Sequence, residues 1–216
     1  MRFASGRRMH KFTSLLNNTQ GAAILEFAIS VPILVVFVVG IYDFSGAFNQ
    51  KQKIAQAAQE GAIVAAAQPM SDIATGTGNP DSLQPVVTAI FNSLAGSGVL
   101  PNANSGTCKT PASPPGWVPS GPPVVLTWTY KIIGCSNLPA SSTKGCNADT
   151  TDTLFIVINR GWVPSTASSP IVVGTSVTVS YDYDWSFNSA IQLLFPGATY
   201  SARTCLSEIA NVHNQT

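Results

Sequence analysis

Residues 21–43 read Gly-Ala-Ala-Ile-Leu-Glu-Phe-Ala-Ile-Ser-Val-Pro-Ile-Leu-Val-Val-Phe-Val-Val-Gly-Ile-Tyr-Asp. From Ala22 to Ile41 the run carries one charged group, Glu26. At 1.5 Å per residue, a helix of that length spans roughly 30 Å, the thickness of a bilayer's hydrocarbon core. A carboxylate among lipid tails costs on the order of 2.5–3.5 kcal/mol on insertion scales, so its presence marks a functional position. Cutting the chain after Gly21 would make Ala22 the first residue, with Glu26 one turn further on and Phe27 beside it. The new amine would be a cation at the depth of a carboxylate that needs one.

The flanks orient this span. Arg2, Arg7, Arg8 and Lys11 precede it, and no acid occurs before Glu26. Basic flanks stay cytoplasmic, which predicts a single pass with the N-terminus inside and everything after Tyr42 outside the cytoplasmic membrane. A secretory signal has an apolar core of about 7–15 residues and a small-residue exit, and this run is longer and lacks that exit. Arg7-Arg8 is followed by His10 and Lys11 rather than by apolar residues, so the dipeptide reads as a basic flank. Pro32 lies mid-span and is a candidate kink, because in a bilayer the carbonyl it frees is re-satisfied locally.

Past the span the helical period continues. Phe44, Phe48, Ile54, Ala55, Ala58, Ala62, Ala65 and Ala66 recur at three- and four-residue steps, with Asn49, Lys51, Gln52, Gln56, Gln59 and Glu60 on the other face. Pro69 supplies a stop. One helix from about Ala22 to about Gln68 is expected. The resulting division is a leader at 1–21, a transmembrane helix at 22–42, an exported stalk at 43–68 and a head at 69–216.

A basic leader, Gly21, four small or aliphatic residues, Glu26 and an aromatic, followed by an apolar span, is similar to the type IV prepilin pattern cut by prepilin peptidase. Gly21 to Ala28, Pro32, Gly40-Ile41-Tyr42-Asp43-Phe44 and Ala57 to Ala62 together resemble the TadE-like pseudopilins of the tight-adherence (Flp) pilus system. The resemblance covers about residues 20–67, with a weaker echo of the family's closing strand pair at Val177 to Tyr183 and Tyr200 to Glu208. It implies processing between Gly21 and Ala22, assembly through Glu26 and Phe27, and three kinds of partner: the lipid bilayer, prepilin peptidase, and other pilins or pseudopilins. The family's major pilins are much shorter chains, so a head of this size implies a minor subunit. The competing reading is an uncleaved, signal-anchored exported protein whose disulfide-bonded head binds a ligand or partner.

The head reads as α+β. Asp81 or Ser82 is placed to cap a helix running to about Leu94, with Val86, Val87, Ile90, Phe91 and Leu94 on its apolar face. Residues 96–123 carry seven prolines and no regular pattern, with Trp117 as the segment's large aromatic, expected to tack the loop down. Four strands follow: about 124–132, around Leu154 to Ile158 with both faces open to cover, Val177 to Trp185, and about Thr199 to Leu206. Short connections favour antiparallel pairing, with Arg203 facing Asp182 or Asp184 as a surface ion pair. The expected architecture is an antiparallel sheet leaning on the second helix and on the outer half of the stalk. Phe187 to Phe195 is an apolar connection expected to fill the gap beneath that sheet.

Cys108, Cys135, Cys146 and Cys205 all fall in the exported part, where an even count reads as two disulfides with three possible pairings. We expect Cys135 with Cys146, closing a short loop, and Cys108 with Cys205, tying a long one to the last strand. With His10 and His213 the only histidines and no C-x-x-C spacing, a metal site has little support. The 11 basic and 10 acidic residues carry no nucleic-acid signature, Gly76-Thr77-Gly78 is only a fragment of a phosphate loop, and Asp184 to Asn188 falls short of an adhesive metal motif. His213 is expected in a polar tail. No nucleophile–base–orienter set is legible, so the chain is expected to be no enzyme and to use no cofactor, nucleic acid or small-molecule substrate.

Overall fold

The structure is a computed structural model that describes residues 19–71, 80–111, 126–135, 146, 153–162, 174–185 and 203–213. The chain divides into two units, Met1–Ser45 and Gly46–Thr216. A first helix, α1 (Thr19–Ala67), supplies the described part of the first unit and the opening element of the second. It ends at Ala67, two residues before Pro69, and Pro32 lies inside it. Pro32 cannot donate to the carbonyl of Ala28, and two residues earlier the Ser30 hydroxyl donates to the Glu26 carbonyl at 2.8 Å.

In the second unit, residues 46–67 of α1 are followed by a 3-10 turn (Asp81–Leu83) and helix α2 (Gln84–Gly96). Four strands complete it: β1 (Thr127–Ile133), β2 (Thr153–Trp162), β3 (Gly174–Asp184) and β4 (Arg203–His213). The helix start differs from expectation. Neither Asp81 nor Ser82 caps α2; the 3-10 turn leads in, closed by Leu83 N–H donating to the Pro80 carbonyl at 3.2 Å. Pro85 then sits in the first turn, where an N–H would have no intrahelical partner. The apolar face is the one the period predicted: Val86, Val87, Ile90, Phe91 and Leu94 are all buried. Gly98, at φ +73°, ends the helix in the left-handed conformation that glycine adopts without strain, and Val99 N–H reaches back to the Leu94 carbonyl.

The sheet is an antiparallel meander in the order β1-β2-β3-β4. Its register aligns Trp128, Ile158, Val177 and Ala210 in one row, and Tyr130, Ile156 and Val179 in the next. These residues share one face, and all are buried. That face forms a single apolar cluster with Ile54, Ala57, Ala58, Ala62 and Ala65 of α1 and with the buried face of α2. Each fully buried Ile, Leu or Val there contributes roughly 1.5–3 kcal/mol relative to exposure. Gly61 shows how closely the elements meet: a Cβ on it would lie 2.5 Å from Ile90 Cδ1 and 3.5 Å from Val177 Cγ1.

Two strand expectations need correction, and the second face of β2 is partly covered. β2 buries Leu154, Ile156 and Ile158 on one face, whereas Phe155 and Val157 on the other are half-buried. β4 (Arg203–His213) does not end at Leu206 as expected but continues to His213, in unbroken register with all eleven residues of β3. His213 therefore pairs with Gly174 at the end of that strand rather than lying in a tail. The polar residues Ser207 and Asn211 fall on β4's exposed row, so their polarity marks a face and not the end of the strand. Trp117, residues 187–195 and the glycine-rich 72–79 lie outside the described residues.

Candidate functional site

In the first unit, from Gly21 to Ser45, every side chain is exposed except Val39 and Gly40, which are half-buried, and Asp43, which is buried. Ile24, Leu25, Phe27, Ile29, Leu34 and Phe37 are 60–71% exposed. A helix that is apolar on all sides must be buried in something other than water. The helix is long and apolar enough to cross a membrane, and none of its most apolar window is buried within the chain. A core helix of a soluble domain would be covered by its own protein.

The processing and assembly candidates sit at the start of this stretch. Gly21 and Ala22 lie in the first turns of α1, and Glu26 and Phe27 follow one turn later, all exposed. Glycine has different reasons for being present at different points along this helix. A Cβ on Gly21 or Gly40 would meet nothing within 4 Å, whereas one on Gly46 would lie 2.7 Å from the Tyr183 hydroxyl oxygen, and one on Gly61 would overlap Ile90. Neighbouring side chains crowd a Cβ at 46 and 61. At 21 none does.

Residues 21–62 match the family model described as TadE-like protein. The TadE-like segment thus opens on Gly21, takes in Ala22, Glu26, Phe27 and Pro32, and closes just after Gly61. The match is consistent with a TadE-like protein of the tight-adherence pilus system. The echo seen at Val177 to Tyr183 and at Tyr200 to Glu208 lies outside the matched residues. No curated protein and no solved structure matches the chain.

Both disulfides form, but the pairing differs from expectation: Cys108 joins Cys135, and Cys146 joins Cys205. The strand order gives the reason. Cys135 follows β1 and Cys205 lies in β4, so the two are at opposite edges of the sheet, separated by three strand spacings or roughly 14 Å. Cys108 is carried to the β1 edge by its own loop, in which Asn102 N–H donates to the Cys135 carbonyl and the Thr107 hydroxyl to the Ile133 carbonyl. Cys146 N–H donates to Asp182 Oδ1 beside Cys205. Cys146, Asp182 and Cys205 bring their sulfurs and a carboxylate oxygen within 4.8 Å of one another. A divalent metal needs thiolates, however, and here the two sulfurs are bonded to each other.

One arginine escaped the sequence reading, and so did the burial of a second. Arg160, fully buried, donates through Nη2 to the Gln68 carbonyl at 2.7 Å, just past the C-terminus of α1. Arg203 meets Asp184 at 2.8 Å as predicted, but its side chain is only 4% exposed, so the pair is not a surface one. Lys51 on α1 meets Glu208 on β4 at 3.1 Å in a half-open setting. Burial raises the Tyr130 hydroxyl's pKa well above its ordinary value, and that hydroxyl has no hydrogen-bond partner among the described residues.

Proposed function

We propose that this chain is a minor pseudopilin of the tight-adherence pilus system, inserted with its N-terminus in the cytoplasm and cut after Gly21 by a prepilin peptidase. The observation that carries this reading is the TadE-like match, which opens on Gly21 and coincides with an apolar helix whose side chains face outward. Gly21 has open space around it, so the need for glycine is assigned to the peptidase: a bare backbone lets catalytic groups approach the scissile bond, and a Cβ would obstruct them. Cleavage removes the basic leader and leaves the apolar helix in the bilayer. The amine created on Ala22 then meets Glu26 of the same subunit or of a neighbour, offsetting the desolvation of both charges. The head, on the extracytoplasmic side, contacts the assembly machinery or the fibre.

Glu26→Ala tests the pairing. The variant is expected to insert and to be processed like the wild type, yet to be missing from the sheared filament fraction and from cross-linked complexes with other pilins. Wild-type incorporation would refute the role given to Glu26. The competing reading, an uncleaved signal anchor, draws on α1 already being helical from Thr19, across the proposed cleavage bond. The first residue of the mature protein separates the two.

A further inference from the structure

The two disulfides occupy unlike surroundings. Cys108 and Cys135 are both 0% exposed and belong to the apolar cluster. Cys205 is exposed on the outward row of β4, an edge strand among the described residues, and Cys146 is half-buried over it. Neither is part of the cluster. Among the described residues Cys146 is held by its bond to Cys205 and by its N–H on the Asp182 carboxylate. Asp182 pairs with Cys205 in the β3–β4 ladder, which places a negative charge beside both sulfurs.

Thiol–disulfide exchange requires a thiolate to reach one sulfur in line with the bond, so access and local charge govern its rate. We infer that Cys146–Cys205 is a thiol-exchange site guarded by Asp182, opening to an external dithiol while Cys108–Cys135 stays closed. One thiolate of the dithiol attacks Cys205 Sγ. The electron pair of the protein disulfide leaves on Cys146 Sγ, which takes up a proton. The second thiol then attacks the mixed disulfide, releasing Cys205 as a thiol and leaving the dithiol oxidised to its own disulfide. Two electrons and two protons pass to the protein. Opening frees Cys146 from the sheet and leaves the apolar cluster intact. The Asp182 carboxylate disfavours both the approach of an anionic thiolate and the departure of a second one, so it holds exchange back. This inference does not depend on the pilus reading.

The test uses the full chain in detergent without denaturant. Dithiothreitol is added at neutral pH, samples are quenched with iodoacetamide at intervals, and the four cysteines are followed by peptide mass mapping. Cys146 and Cys205 are expected to be alkylated together, at least about tenfold faster than Cys108 and Cys135. Equal rates, the reverse order, or no opening of either bond would overturn the assignment. Asp182→Asn keeps an acceptor for the Cys146 N–H while removing the charge, and is expected to speed opening about three- to tenfold. An unchanged rate would overturn the guarding role. Hydrogen exchange of the selectively reduced protein is expected to rise at Asp182 and Cys205 and to stay unchanged in α2. Loss of protection throughout the sheet would show a structural staple instead.

Discussion

Residues 21–45 and 46–67 belong to one helix, yet they satisfy opposite demands. In the first stretch Phe27, Phe37 and Ile41 point outward from the chain, and glycine occurs where nothing crowds it. In the second, Ile54, Ala57, Ala58, Ala62 and Ala65 are buried against α2 and the sheet, and glycine occurs where a neighbour leaves no room for a Cβ. The same helical backbone therefore serves two environments. Composition selects between them: large aliphatic residues on every side for lipid, and small residues on one stripe for close packing. An apolar helix is thus not by itself a sign of either; which side chains are covered decides.

Glycine substitutions give the widest separation. Gly21→Val is expected to leave the thermal unfolding of the head unchanged and to abolish processing in a prepilin-peptidase-positive host, read by intact mass. Gly61→Val reverses the pattern. Processing persists, while the added side chain must displace Ile90, costing about 1–3 kcal/mol in a denaturant titration. A stability loss at 21, or none at 61, would erase the distinction between the two stretches.

A smaller effect probes the core against which the second stretch packs. Burial keeps the Tyr130 hydroxyl protonated in the folded chain at a pH where the unfolded chain ionises. Its contribution to stability is therefore complete below about pH 10, the ordinary tyrosine value, and declines as the pH rises beyond that. Tyr130→Phe is expected to remove that part of the alkaline decline. It also removes a buried polar group with no partner among the described residues, a gain of roughly 1 kcal/mol at neutral pH. Urea midpoints from about pH 8 to about pH 11 test both expectations. The smallest effect is expected at Lys51→Ala: its ion pair with Glu208 is half-open to solvent and contributes about 0.2–1 kcal/mol, less at high salt.

Periodicity made much of this fold legible. The apolar face of α2 and the alternation of β3 appear in the sequence as they do in the structure, because burial repeats at 3.6 and 2 residues. What stayed hidden depends on long-range arrangement. The disulfide pairing follows from the Cys108 loop lying against the end of β1 and Cys146 lying over β4, which no cysteine spacing records. The end of β4 was obscured because an edge strand exposes Ser207, Ile209 and Asn211 on one row, and such a row resembles a loop. Arg160 gave no signal in the sequence, since the carbonyl it meets, on Gln68, lies 92 residues away. Of the candidate site, Gly21, Glu26 and Pro32 were readable because a charge, a glycine and a proline stand out against a uniformly apolar run. Gly61 was not, being one small residue among many alanines.

The pseudopilin assignment rests on a cut between Gly21 and Ala22 that joins a new amine to a helix already suited to lipid. N-terminal sequencing of the membrane-extracted protein, from cells with and without prepilin peptidase, tests this most directly. The expected result is a chain beginning at Ala22 when the peptidase is present and one retaining the basic leader when it is absent. A leader still attached in both strains would contradict the pseudopilin assignment and leave a plain membrane anchor.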